Sequence, residues 1–113
     1  MIIIRETLKF DELRQMAARM FGDLVKAVVD VERELLAIDA ELHADLEALL
    51  LQDGSQQRSL WGINLYPDMP GDAFVEFDSM INMRPSQGNR SRGVEDEAIR
   101  KKVAAVIEKR LRR

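Results

Sequence analysis

Cysteine is absent from the 113 residues, which excludes disulfides and thiolate chemistry and suits a reducing compartment. Aromatics are scarce: one Trp, one Tyr and four Phe. With an overall charge of −3 and no basic stripe interleaved with aromatics, this argues against extended nucleic-acid binding. Uninterrupted apolar runs are short; Ile2–Ile4 and residues 48–51 fall far below the roughly 20 residues that span a bilayer. The first residues carry no basic patch followed by an apolar stretch and a cleavage site. A cytoplasmic protein with no membrane partner is therefore expected. No P-loop lysine pattern, glycine-rich nucleotide fingerprint or His-Glu-x-x-His metal motif occurs either.

What remains fits one folded domain spanning 1–113. Apolar residues make up 46% of the chain and charged residues 33%, enough for a single core and too apolar for disorder. The charge is unevenly distributed. Residues 84–113 hold 10 Lys/Arg against 4 Asp/Glu, whereas residues 1–83 hold 7 against 16. An acidic body and a basic C-terminal quarter can attract each other or serve different partners.

The Ile-rich start predicts a strand. Phe10, Leu13, Met16, Ala17, Met20 and Phe21 form the stripe of an amphipathic helix, with Asp11 and Glu12 in its first turn and Gly22 placed to end it. Trp61, Ile63 and Leu65 share one face of a strand that stops before Pro67, and the run from Ala73 to Arg84 alternates again. Val94, Ala98, Val103, Val106, Ile107 and Leu111 mark a terminal helix, acidic at its start and basic at its end. Residues 24–51 admit two readings. One is a long helix through Leu24, Val28, Val31, Leu35, Ile38, Leu42 and Leu49. The other is two antiparallel strands turning at Asp39-Ala40, since residues 41–48 alternate polar and apolar without a break. The alternation favours the hairpin. The expected fold is α+β: a mostly antiparallel sheet of about five strands with two helices on one face, in the order strand, helix, four strands, helix. The other sheet face is expected to be the more polar.

That hairpin would place Glu32, Glu34, Asp45 and Glu47 side by side, with His43 opposite Leu36. Like charges facing one another cost up to roughly 1 kcal/mol per pair, so positive company is expected. A divalent metal held by Glu34, His43 and Asp45 is one candidate; arginines from elsewhere in the chain are another. Neighbouring carboxylates would raise the pKa of His43 and make it a general acid. The arginines are supplied by residues 84–93, "RPSQGNRSRG". Arg84, Arg90 and Arg92 stand among Ser86, Asn89 and Ser91, the groups of an anion site, with glycines that allow close backbone approach. The same side chains could instead stitch the loop to the sheet, in which case Arg90 should contribute to stability.

The stretches "VKAVVDVERELLAIDAELHADLEALLLQDGS", "LWGINLYP" and "FDSMINMRPSQGNRSRGVED" resemble a family of small, mostly bacterial proteins known only as a domain of unknown function. The resemblance runs over nearly the whole chain. Its members often have Gly at the position of Ala40, which implies a turn there, and it brings no activity, ligand or catalytic residue. The element order is also similar to that of small mRNA-cleaving toxins, a likeness of architecture that implies nothing about activity.

Two functional expectations follow. The first is a structural or interaction module, homo-oligomeric, or one that binds a small anion or phosphorylated ligand through Arg84, Ser86, Asn89, Arg90, Ser91 and Arg92. The alternative is a metal-assisted phosphoesterase or ribonuclease in which His43 with Asp45 or Glu47 serve as acid and base and the loop arginines stabilise charge on phosphate.

Overall fold

The computed structural model describes residues 1–113. Ten elements follow in order: β1 (Ile2–Ile4), β2 (Leu8–Lys9), α1 (Phe10–Arg19), β3 (Val25–Asp30), β4 (Leu35–Ile38), α2 (His43–Gln52), β5 (Leu60–Leu65), β6 (Val75–Glu76), α3 (Glu97–Arg110) and β7 (Leu111–Arg112). Five strands form one antiparallel sheet in the order β1-β4-β3-β5-β6, while β2 and β7 make a separate two-residue parallel ladder. The α+β class and five-stranded antiparallel sheet are as expected; the helix count is not.

Strand alternation divides the core into two layers. Val25, Ala27 and Val29 of β3 join Leu36, Ile38, Trp61, Ile63 and Leu65 on the face packed by α1 and α3. Val28 points the other way, and with Leu35, Ala37 and Leu60 it meets Leu46 and Leu50 of α2. The second sheet face is therefore covered by a third helix rather than left polar. No helix is long and apolar enough to cross a membrane.

The chain turns back between β3 and β4, at residues 31–34, and not at Asp39-Ala40. The Asp30 carboxylate accepts from the Glu32 and Arg33 N–H groups at 2.9 Å each, and Glu34 takes a positive φ of 56°. Asp39 also has a positive φ, 72°, but it redirects the chain from β4 into α2. Residues 41–48 are thus not a strand, and no helix runs through 24–51. From Glu41 to Gln52 there is no β-branched residue, and the run is dominated by Ala, Leu, Glu and Gln, all strong helix formers. His43, Leu46 and Leu50 form its buried stripe. The helix breaks up the expected acidic row: Asp45 stands two residues from His43, a spacing that does not share a helix face.

The expected strand at 73–84 pairs only through Val75 and Glu76, opposite Leu65 and Asn64. Beyond them the chain lifts off the sheet into a 3-10 turn at Met80–Asn82. Gly62 explains the departure. A Cβ there would lie 2.5 Å from the Ser79 Cβ, so the backbone crosses the β5 edge where only glycine leaves room.

Candidate functional site

Past the last β5–β6 pair, the outer edge of β5 is closed by side chains from the following loop. Asn82 Nδ2 donates to the Gly62 carbonyl at 2.9 Å, and Asn82 Oδ1 accepts from the Gly62 N–H at 2.8 Å. Arg84 donates to the Gln57 carbonyl and, at 2.6 Å, to that of Leu60, with its guanidinium carbon 4.1 Å from the Trp61 ring centroid. Asn89 is almost wholly buried. Its amide donates to the carbonyls of Asn82 (2.7 Å), Ser91 (3.2 Å) and Gly93 (2.8 Å), while its Oδ1 accepts from the Glu95 N–H.

This loop already holds an anion, and the anion is the chain's own Glu95. Its Oε2 accepts from the N–H groups of Arg90 and Ser91. Among the residues expected to bind an external anion, Arg84 and Asn89 are engaged with the protein backbone. Ser86, Arg90 and Ser91 are exposed, and their side chains make no hydrogen bond within the chain. Arg92 is different. Its Nε lies 2.6 Å from Asp78 Oδ1, and its side chain reaches the far end of the sheet face covered by α2.

There it meets His43, the first residue of α2. His43 is 9% exposed, and its Nε2 is 2.7 Å from the Ile63 carbonyl. Only a protonated nitrogen can bond to a carbonyl oxygen, so Nε2 carries the hydrogen and Nδ1 keeps its lone pair. Nδ1 has no partner in the protein. Burial pushes the His43 pKa below its ordinary 6.5. The Ile63 bond opposes that shift, Lys26 and Arg92 reinforce it, and Asp78 weakly opposes it. The rise expected from neighbouring carboxylates does not occur, because the helix takes those carboxylates elsewhere. Asp45 faces solvent. Glu47 has its Oε2 buried without a hydrogen-bond partner, on the side that feels Arg84.

His43 lines a cavity of about 190 Å³ together with Lys26, Leu42, Ala44, Met80 and Arg92. Lys26 projects from β3 directly across from Asn64 and forms no ion pair; its ammonium lies 5.2 Å from the Phe21 ring centroid. Leu42, the N-cap of α2, offers no side-chain acceptor to the first N–H groups of the helix, which therefore add positive potential at the same place. Lys26 escaped notice in the sequence, although a single cation inside "VKAVV" is a signal of a kind.

Glu34 is drawn away from His43 by Lys109, 3.2 Å distant on α3. Glu34, His43 and Asp45 do not converge, and no group of three or more His, Asp or Glu is arranged to hold a metal ion. His43, Asp45 and Glu47 likewise do not converge into an acid–base pair.

The protein is thus an α+β domain with helices on both faces of an antiparallel sheet; of its loop arginines Arg84 is bound to backbone carbonyls and Arg92 to Asp78, and a small pocket lined by Lys26, His43 and Arg92 lies at the start of α2. It belongs to the family described as protein of unknown function (DUF5674), whose profile matches residues 2–110. No curated protein matches the chain, and no solved structure does.

Proposed function

We propose that this protein is a binding module for a small anion, held between Lys26, His43 and Arg92 at the start of α2. The observation that carries the reading is the juxtaposition of a cation with no ion pair, Lys26, and a nine-tenths-buried imidazole with a free Nδ1 in one cavity. Lys26 is half-buried and its ammonium meets the Phe21 ring rather than a carboxylate, which leaves it able to take a negatively charged guest. The uncapped helix start supports the same sign of guest.

Binding has a proton attached to it. A neutral Nδ1 presents a lone pair, which repels a bare anion; a protonated imidazole donates to one. Anion binding therefore favours protonation of His43 and strengthens as pH falls below the ordinary imidazole value of 6.5. The charged groups that set this balance are Lys26 and Arg92, which oppose the proton, and Asp78, which favours it.

Isothermal titration with acetate and with orthophosphate at pH 6.5, on the native chain and on Lys26→Gln, tests the reading. Saturable binding of either anion that Lys26→Gln abolishes is expected. Absence of binding by both at millimolar concentrations would defeat it.

A further inference from the structure

Independently of the Lys26 pocket, we infer that a second site, at the β2–β7 ladder, binds a soluble phosphomonoester with an apolar body. The ladder is parallel, and its register sets Lys9 beside Arg112. Like charges side by side weaken a ladder, so an anion shared between them strengthens it. Two more cations close in. Arg14 and Arg113 lie over the Phe10 ring, 5.1 Å and 4.2 Å from its centroid. These four side chains line a cavity of about 170 Å³ with Phe10 and Asp11. Arg14 is matched by Asp11 at 3.0 Å and Asp68 at 3.3 Å. Lys109 and Arg110 are likewise committed, to Glu34 and to backbone carbonyls. Lys9, Arg112 and Arg113 form no ion pair. Even with the α-carboxylate of the last residue, Arg113, set against these three, the cavity stays positive.

Two adjoining cavities fix the head and the tail of the ligand. A phosphomonoester presents three free oxygens to three cationic side chains, and the planar forks of Arg112 and Arg113 suit it. A carboxylate has fewer oxygens to share. At about 30 Å³ per water-sized group, 170 Å³ admits roughly one phosphate. Phe10 and Arg113 also line a second cavity, of about 380 Å³, with Phe74, Val75, Ala104, Ile107 and Leu111. The shared residues join a charged end at the ladder to an apolar groove between α3 and β6. That groove has room for roughly twelve non-hydrogen atoms. Glu108 is its one carboxylate and repels a second negative group there, so the phosphate is the ligand's single charged end.

Calorimetric titration of hexyl phosphate, ethyl phosphate and hexanoate into the native chain, at pH 7.5 and 5.5, tests the assignment. Each buried methylene should tighten binding about fourfold, so hexyl phosphate should bind more than about tenfold tighter than ethyl phosphate. It should also bind tighter than hexanoate. No imidazole lines either cavity; Asp11 and Glu108 are the carboxylates that face them. The ester becomes a dianion above about pH 6, so its binding should be severalfold stronger at pH 7.5 than at 5.5, the reverse of the Lys26 pocket. Arg112→Gln, at an exposed position, should remove hexyl phosphate binding, and Lys26→Gln should leave it intact. Ala104→Gln, also exposed, should bring hexyl phosphate down to ethyl phosphate and leave the latter unchanged. Hexanoate binding as tightly as hexyl phosphate, or the two esters binding alike, would overturn the ligand assignment. Binding that Lys26→Gln removes and Arg112→Gln spares would overturn the site. Co-sedimentation with phosphatidic acid vesicles, with no binding of the soluble ester at millimolar concentration, would assign the cations to a lipid surface and overturn the proposal as well.

Discussion

The side-chain amide of Asn82 pairs with both backbone groups of Gly62, one bond of 2.9 Å and one of 2.8 Å, and so stands in for a residue of a missing neighbour strand. Both groups of the pair are buried, Asn82 at 0% exposure. Asn82→Ala would strand a peptide N–H and a carbonyl away from water, at about 1–3 kcal/mol for each unsatisfied group. A loss of about 2–4 kcal/mol in urea unfolding is expected. Gly62→Ala should be comparably harmful, because the new methyl would lie 2.5 Å from the Ser79 Cβ, and overpacking of this kind costs about 1–3 kcal/mol.

The three loop arginines should differ sharply in their contribution to stability. Arg84→Ala removes two hydrogen bonds from a charged donor and the contact over Trp61, worth about 2–3 kcal/mol together. Arg90→Ala removes a side chain without a partner and should leave stability within about 0.5 kcal/mol. Thermal melts of the two variants, run side by side, check the contrast; equal losses would contradict it. The sequence had suggested Arg90 as a stabilising residue, and the structure moves that role to Arg84.

Asp53 ties the end of α2 to two distant segments through Arg5 at 2.6 Å and Arg33 at 2.8 Å. The hydrogen bonds from Arg5 and then Arg33 hold its carboxyl below the ordinary 3.8. A depressed folded-state pKa means that the stabilisation is fully present above about pH 4. It is lost as the pH falls through the lowered value. Asp53→Asn should accordingly be less stable than the native chain at pH 7, with the difference shrinking below pH 4. Denaturant midpoints at pH 7, 4 and 3 measure it.

The elements that were legible in the sequence share one property: their pattern is fixed by burial on a single face. Phe10, Leu13, Met16 and Ala17 of α1, Val103, Val106 and Ile107 of α3 and the Trp61, Ile63, Leu65 face of β5 are buried as expected, whereas Met20, Phe21 and Ala98 of the expected stripes are exposed and Leu111 belongs to β7. Residues 41–48 misled because a perfect polar–apolar alternation coincided with a composition suited to helix, and composition prevailed once His43, Leu46 and Leu50 had a sheet to cover. The β3–β4 turn was hidden for another reason. It contains no Gly, Pro or Asn, and depends on the Asp30 carboxylate and on Glu34 accepting a left-handed backbone. The loop's stitching role was readable from its residue types, but its partners at Gln57, Leu60 and Gly62 were not, since they belong to a sheet edge formed over 20 residues earlier. The pocket was illegible for the same reason: Lys26, His43 and Arg92 meet only because α2 starts where the sheet ends.

His43 is the chain's only histidine, so its imidazole resonances report on the pocket without ambiguity. An NMR titration of those resonances from pH 8 to 4, without and with saturating acetate, is the most direct measurement. A midpoint below 6.5 in the free protein, moved upward by acetate, is the predicted result. A midpoint at or above 6.5, or one that acetate leaves in place, would contradict the account.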